Sequence, residues 1–290
     1  MLQIAVFHQG VDPSLFAVRS QNEPKGERRR QDGLFYVFSG GKLEFRKGQD
    51  LLVAAFRQFY RTHPNARLVT AWANPWYETV ETLAESRHVQ GLPAAKPANP
   101  TSGFQSGELE LEQWLAANGI PKEVWARTRP CACLTEGPNQ LTCRLDKQAV
   151  IDLGRVSHGE MVLRMLEADV AVFPNRCEGG TNLMAMEAAA VGIPLIISAN
   201  TGHLDLIRFL DGMGAISVTQ QDPLDPTGSG GRRGWGEVHV EALVEALVSV
   251  SHSGADGPML REAADRASLK MANWTWAAST RGLVDILVGR

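Results

Sequence analysis

The feature that most constrains the fold of this chain is a repeated alternation of short apolar segments with longer amphipathic ones. The apolar segments are bounded by turn-forming residues and have the length of strands. They predict strands over residues 2–7, 34–38, 67–72, 149–153, 169–173, 193–198 and 215–218. Strands that are apolar on both faces are typical of a parallel sheet covered by helices.

Helical patterns lie between these strands. Residues 48–62 place their large apolar side chains on one stripe, residues 159–168 do so over two turns, and residues 182–191 are followed by Gly192 and Pro194. The alternation predicts an α/β fold with a Rossmann-like parallel sheet and helices on both faces.

The 290 residues contain no internal repeat and no second complete strand and helix series, which favours a single domain over residues 1–290. A proline-containing insertion is expected at about 73–148, with helix-compatible sequence at 109–118 and 121–127. A glycine-rich segment predicts a flexible loop at about 222–236, and a C-terminal helix is expected at about 274–289.

Charge and composition exclude several classes of protein. The 29 basic and 32 acidic residues give a formal net charge of −3, which argues against a nucleic-acid-binding tail or a polybasic membrane anchor. No apolar run is long enough for a transmembrane helix, and residues 1–8 lack the basic region of a secretory signal, so a cytoplasmic location is expected. The spacing of the four cysteines (Cys131, Cys133, Cys143 and Cys177) matches no common zinc pattern, and no metal site is expected.

The most informative segment is the strand, turn and helix of residues 169–194. The turn contains Gly179 and Gly180, and the helix begins near Thr181 or Asn182, followed by Leu183. The amides of such a turn and the positive end of the helix favour a bound phosphate. An isolated pair of carboxylates is more often surface charge, but Glu178 and Glu187 flank this turn and can accept hydrogen bonds from sugar hydroxyls. The segment therefore predicts a nucleotide-sugar site.

A second segment, residues 38–48, also leaves a strand through a glycine pair, Gly40 and Gly41. It supplies cations at Lys42, Arg46 and Lys47, and cations beside a positive helix end are unfavourable unless an anion is present. We expect Lys42 and Lys47 to meet a diphosphate and Arg46 to be a solvated surface residue.

Together these segments resemble the C-terminal, donor-binding domain of retaining GT-B nucleotide-sugar glycosyltransferases, the glycosyl transferases group 1 family. The family carries a Gly-Arg-Leu with a following Lys-Gly, a Glu-x7-Glu motif and a Gly-x-Pro, often after an Asn-Gly-Val-Asp lead-in. Here the lead-in is Gln-Gly-Val-Asp at residues 9–12, and lysine replaces arginine at position 42. The two glutamates are nine positions apart rather than eight, and aligning Glu187 with the second glutamate of the motif places the extra residue in the glycine turn.

The resemblance implies transfer of a sugar from a nucleoside diphosphate to an acceptor hydroxyl with retention of anomeric configuration. It assigns Lys42, Lys47 and the amides of 180–182 to the departing diphosphate, so that no metal or other cofactor is needed. By resemblance, Glu187 holds the ribose and Glu178 approaches the donor sugar, while backbone at Arg155 and Val156 faces the nucleobase. His203 is left open between a ligand contact and a structural role.

The lead-in normally follows the linker between two domains, so the resemblance also implies that the acceptor-binding N-terminal domain is missing or is a separate polypeptide. Two alternatives stay open. One is a non-catalytic nucleotide-sugar-binding or interaction module with a degenerate donor site, which the nine-position spacing favours. The other is a related epimerase or phosphorylase.

Overall fold

The centre of the molecule is a six-stranded, fully parallel sheet. A computed structural model describes residues 7–16, 33–95, 109–120, 150–153, 156–252 and 257–288. The strands are β1 Phe35–Gly41, β2 Ala66–Trp72, β3 Ala94–Ala95, β4 Leu109–Glu110, β5 Val150–Asp152, β6 Val170–Phe173, β7 Leu195–Ser198, β8 Ala215–Val218, β9 Gln221–Pro223 and β10 Gly236–Val238. The large sheet has the order β5-β2-β1-β6-β7-β8, which is the doubly wound order of a Rossmann fold.

Helices cover both faces of this sheet. They are α1 Pro13–Phe16, α2 Gln49–Thr62, α3 Tyr77–Val80, α4 Leu111–Ala117, α5 His158–Leu166, α6 Leu183–Val191, α7 His203–Leu210, α8 Val240–His252, α9 Gly257–Met271 and α10 Trp276–Leu287. Single-turn 3-10 helices occupy Phe45–Lys47 and Glu81–Glu85.

The alternation of side chains along β1 separates two hydrophobic cores. Val37 packs with the helices α2, α4 and α8 on one face, whereas Tyr36 and Phe38 pack with α6, α7 and α9 on the other. The predicted fold class is therefore confirmed. All the sheet strands predicted from 34 onwards are present with shifted ends, and the predicted strand at 2–7 lies outside the described residues except for its last residue.

The described part of residues 73–148 covers the outer side of α2. The carbonyl of Asn118 accepts a hydrogen bond from Arg57 Nη1 at 3.1 Å, and its amide Oδ1 accepts one from the Gln90 N–H at 2.6 Å. The helix expected at 109–118 is α4, preceded by the short strand β4 that pairs with β3. The helix expected at 121–127 lies outside the described residues.

The glycine-rich segment at 222–236 contains more regular contacts than its composition indicates, and its flexibility stays a prediction. Its ends pair as the antiparallel strands β9 and β10. Between them, the Asp225 carboxylate accepts hydrogen bonds from the N–H groups of Gly230 and Arg232 at 2.9 and 3.0 Å. Arg232 also forms a bidentate ion pair with Glu85 at 2.6 and 2.8 Å. Composition indicated a loop because glycine and proline dominate, but one carboxylate and one arginine organise it.

The lead-in at 9–12 packs against the start of α10. Val11 forms a parallel bridge with Thr275, and a Cβ at Gly10 would lie 2.1 Å from the carbonyl carbon of that threonine. Glycine is therefore required at position 10 for this close approach. Among the helices described, none combines the length and apolar character that crossing a membrane requires.

Candidate active site

The candidate site lies where the strand order of the sheet reverses. The strands β1 and β6 are adjacent, and their connections leave in opposite directions along the sheet. In open α/β sheets, ligands bind outside the carboxyl ends of the strands at such a point. The loop after β1 carries Lys42 and Lys47, and the turn after β6 carries Glu178. The fold thus brings together the two segments that the sequence singled out.

These two loops contact each other through their backbones. The N–H of Arg176 donates a hydrogen bond to the carbonyl of Arg46 at 2.8 Å. Gly48 has a φ of 68°, and a Cβ there would lie 2.1 Å from the carbonyl oxygen of Pro174. Because both the conformation and the space exclude a side chain, Gly48 allows the lysine loop to reach the acidic turn.

Glu178 is the centre of a buried charged cluster. One carboxylate oxygen, Oε1, contacts Lys47 Nζ and the amide nitrogen of Asn175, and Oε2 accepts a hydrogen bond from Arg46 Nη1 at 3.2 Å. Burial alone would raise the pKa of Glu178, but the charges of Lys47 and Arg46 outweigh it and hold that pKa below its ordinary value. Glu178 is therefore ionised and fully paired at neutral pH.

Arg46 belongs to this cluster, which corrects its assignment as a solvated surface residue. Besides Glu178, it contacts Glu44 Oε1 at 2.6 Å and the carbonyl of Cys177 at 3.1 Å. Only 29% of its side chain is exposed. Its place in a 3-10 turn, rather than at the start of a long helix, directs the side chain towards the acidic turn.

Lys42 points elsewhere. Its Nζ lies 4.0 Å from the centroid of the Trp76 ring, a cation–π contact on the outer side of the loop. In the described part of the chain, Lys42 has no carboxylate partner. The site therefore joins Lys47, but not Lys42, to Glu178.

Arg176 anchors the acidic turn, and the sequence analysis missed it. Its guanidinium forms a bidentate pair with Asp50 at 2.7 and 2.7 Å and donates from Nε to Glu237 at 2.7 Å. It also lies 3.8 Å from the Phe45 ring centroid. The side chains of Arg176 and Asp50 are both 0% exposed. The only signal in the sequence was an aspartate beside the apolar stripe of α2, whereas its partner lies 126 positions away.

The glycine turn leaves open space on the ligand side. A Cβ at Gly179 or Gly180 would meet no atom within 4 Å among the described residues. Gly202 packs against the same turn so closely that a Cβ added to it would lie 1.5 Å from the carbonyl oxygen of Gly180. The Thr181 hydroxyl is buried and has no hydrogen-bond partner in the described structure. An orphaned hydroxyl at a helix start is a candidate ligand contact.

Asn182 caps helix α6, and its side chain is held by His203. The Asn182 side chain accepts a hydrogen bond from the Ala185 N–H at 3.3 Å, and its Nδ2 lies 3.0 Å from His203 Nε2. Burial lowers the pKa of His203 to about 4, so this histidine is neutral at physiological pH. His203 has no exposed surface, which decides its open assignment in favour of a structural role.

Glu187 lies one turn further along α6 and has a contrasting environment. No described residue forms a hydrogen bond or ion pair with its carboxylate. Burial raises the pKa of Glu187 to about 7, because nothing compensates the lost hydration of the charged form. A partly buried, unpaired carboxylate beside an open turn is available for a ligand hydroxyl.

The remaining expected positions support or border the site. Gly40 is the penultimate residue of β1, where a Cβ would lie 2.4 Å from the methyl carbon of Met184, and Gly41 ends the strand with a φ of 122°. Leu183 begins α6 and is half-buried, and Val156 is half-buried just before α5. Arg155 lies outside the described residues, as do all the cysteines except Cys177. The described residues contain no cluster of three or more His, Cys, Asp or Glu side chains placed to hold a metal ion, and metal independence stays a prediction.

Comparison with known protein sequences points to one enzyme class. Residues 155–283 match the family model described as "Family 4 Glycosyltransferase in conflict systems". The glycogen synthase of Mycobacterium tuberculosis is 24% identical over 222 residues, which are 77% of this chain and 37% of that enzyme. The chain therefore spans little more than a third of the curated relative that it matches.

Solved structures give the same result for the fold. The Anabaena protein Alr3699/HepE in complex with UDP and glucose superposes with a TM-score of 0.60 and 13% identity, over 99% of this chain and 57% of that one. Sucrose-phosphate synthase from Thermosynechococcus elongatus superposes with a TM-score of 0.54 and 17% identity, over 97% of this chain and 51% of that one. The strand order and these structures together show that the chain has the fold of a GT-B glycosyltransferase domain, and the family match over residues 155–283 is to a glycosyltransferase family.

Proposed function

We propose that this domain binds a nucleoside diphosphate sugar at the carboxyl ends of β1 and β6 and serves as the donor site of a retaining glycosyltransferase. The observation that carries the proposal is the start of α6. There, the buried Thr181 hydroxyl and the half-buried Glu187 carboxylate lack partners within the described structure. The preceding turn carries Glu178, which contacts Lys47, a lysine whose side chain is only 15% exposed. Buried polar groups are rarely left unsatisfied, so these groups indicate a ligand with both phosphate and hydroxyl groups.

Each part of the donor has a matching part of the site. The amides of 180–182 and the N-terminal end of α6 would hold the phosphates, with Lys47 beside them. Glu187 would accept hydrogen bonds from the ribose hydroxyls, and Glu178 would accept one from the sugar. The nucleobase would lie near Val156. The structural neighbour that was solved with UDP and glucose supports this class of ligand.

In the proposed reaction, negative charge develops on the departing diphosphate. The bond between the anomeric carbon and the diphosphate oxygen breaks, and the diphosphate leaves with the electron pair. The acceptor oxygen bonds to the same face of that carbon, and its hydroxyl proton is lost to a group that we assign to the acceptor side. Lys47, the turn amides and the helix end would stabilise the departing charge without a metal ion. Lys42 could join them only by leaving the Trp76 ring.

Calorimetric titration of the folded domain with UDP, GDP and ADP tests the binding claim. We expect heat from at least one of these nucleotides, and weaker binding of the matching nucleoside because it lacks the phosphates. Absence of binding by all three, in protein shown to be folded by circular dichroism, would contradict the proposal.

A non-catalytic binding module would share the binding site but not the reaction. Release of nucleoside diphosphate from the bound donor, measured with the domain alone and with its acceptor-binding partner supplied, separates the two. We expect little turnover by the domain alone, since the resemblance assigns the acceptor contacts to a different domain. Donor binding without turnover under both conditions would favour the module.

A further inference from the structure

The lysine that we assign to the diphosphate forms an ion pair with a carboxylate of the protein itself. Lys47 Nζ contacts Glu178 Oε1, and the two side chains are only 15% and 6% exposed. A second donor, the amide of Asn175, shares the same carboxylate oxygen. Neither charge can therefore exchange its partner for water without cost.

Arrival of a diphosphate changes this balance. Lys47 turns towards the phosphate, and Glu178 then loses its nearest cation while a second anion approaches. Arg46 still contacts Glu178 Oε2 at 3.2 Å, but it is shared with Glu44 at a shorter 2.6 Å. A buried carboxylate in this position needs a new hydrogen-bond donor.

A hydroxyl of the donor sugar is such a hydrogen-bond donor, and the free nucleoside diphosphate has none at this position. We propose that Glu178 is a specificity-determining residue that makes the site favour the nucleoside diphosphate sugar over the nucleoside diphosphate. The inference rests on the proposed function and adds an exchange of partners to it. Lys47 leaves Glu178 for the diphosphate, and Glu178 then binds the sugar hydroxyl. After sugar transfer, Lys47 returns to Glu178 and the spent nucleotide is released.

The exchange predicts that removing the Glu178 charge strengthens the binding of free nucleotide. In the Glu178→Gln variant, we expect UDP to bind about 5- to 10-fold more tightly than in the wild type, a typical size for coupling between two binding events. UDP-glucose should gain less or bind more weakly, so the ratio of the two dissociation constants moves towards unity. Calorimetry with both ligands measures this ratio. If GDP or ADP is the nucleotide that binds, that nucleotide and its glucose conjugate replace the uridine pair.

The control repeats the Glu178→Gln substitution in a Lys47→Met variant. Without the lysine there is no exchange, so adding Glu178→Gln to Lys47→Met should not produce the 5- to 10-fold gain for UDP. If Glu178→Gln fails to fold by circular dichroism, Glu178→Asp replaces it, with a smaller gain of the same sign because the shorter carboxylate reaches Lys47 less well.

The outcomes are distinct. Wild-type protein that binds no nucleotide would overturn the proposed function and this inference together. Wild-type protein that binds UDP, with Glu178→Gln binding it equally or more weakly, would overturn this inference alone. An equal gain for UDP in the presence and absence of Lys47 would also overturn it, because the gain would then come from general charge repulsion rather than from an exchange.

Discussion

Glu178 and Glu187 border the same turn, but their surroundings are opposite. Glu178 has two cations and an amide around its carboxylate, and its pKa is held below the ordinary value. Glu187 has no partner among the described residues, and burial raises its pKa to about 7. The Glu178 carboxylate in the turn before Gly179 therefore finds its partners within the protein, whereas the Thr181 hydroxyl and the Glu187 carboxylate, both after Gly180, find none among the described residues.

In the proposed site, this difference separates the polar groups that stabilise the turn from those that we assign to the ligand. Arg176, Asp50 and Glu237 stabilise the acidic turn whether or not a ligand is bound, because each finds its partner within the protein. The unpaired polar groups of Thr181 and Glu187 lower the stability of the folded protein, and a ligand that bonds to them would remove this cost. The first group should respond to mutation in stability, and the second in affinity.

Removing Arg176 should have the largest effect. Arg176→Met leaves the fully buried Asp50 carboxylate without its cation, so we expect a loss of roughly 3 to 5 kcal/mol in the free energy of unfolding. Arg208→Met is the control, because Arg208 is paired but 72% exposed, and its loss should cost about 0.5 kcal/mol or less. Urea denaturation of both variants checks this. Similar losses for the two would show that the acidic turn does not depend on Arg176.

Lys47→Met should weaken nucleoside diphosphate binding by about tenfold or more, while leaving nucleoside binding nearly unchanged. The physical reason is that, in the proposed site, the lysine contacts the phosphates of the ligand and no part of its nucleoside. Lys42→Met, which removes a cation held over Trp76, should cost less. Calorimetry with UDP and uridine compares them, and an equal loss for both ligands would place Lys47 away from the phosphates.

Because of Glu187, the free energy of unfolding should fall as the pH rises. Its pKa in the folded state, about 7, lies above the 4.5 of an ordinary glutamate, so the folded protein binds the extra proton between these values. The contribution of this proton binding to the free energy of unfolding is fully present below pH 4.5 and is lost as the pH rises through about 7. Glu187→Gln should therefore match the wild type at pH 4.5 and exceed it by roughly 1 to 3 kcal/mol at pH 8.

Urea denaturation at several pH values measures this difference. Parallel pH profiles for the wild type and Glu187→Gln would mean that the carboxylate is solvated or already paired in the protein.

The smallest effect on stability is expected at Thr181. Thr181→Val keeps the shape of the side chain and removes a buried hydroxyl without a partner, so the free energy of unfolding should change by no more than about 1 kcal/mol and could rise. Binding of the nucleoside diphosphate should nevertheless weaken several-fold. A loss of stability with unchanged affinity would reverse the assignment.

Local patterns sufficed to predict much of this site. Apolar runs ending at Phe173 and near Phe38 fixed two parallel strands, and parallel strands bring their carboxyl ends to one edge, so Lys47 and Glu178 could be expected to meet. The glycine pair at 179–180 predicted an open turn for the same local reason. These inferences needed only neighbours along the chain.

The rest depended on contacts between distant residues. Arg46 was misassigned because a single turn of 3-10 helix, not visible in the pattern, aims it at Glu178. The role of Arg176 was not predicted, since its partners Asp50 and Glu237 lie 126 and 61 positions away. For the same reason the order at 222–236 was missed, because it arises from Asp225 and from the Arg232–Glu85 pair.

In the proposed site, the nucleoside diphosphate lies between Lys47 and the start of α6. A crystal structure of the domain grown with UDP-glucose tests it most directly. We expect the diphosphate within hydrogen-bond distance of the amides of 180–182, Lys47 Nζ turned from Glu178 to the phosphate, and the ribose hydroxyls bound to Glu187. A nucleotide bound elsewhere, with the Lys47–Glu178 contact and the Thr181 hydroxyl unchanged, would contradict it.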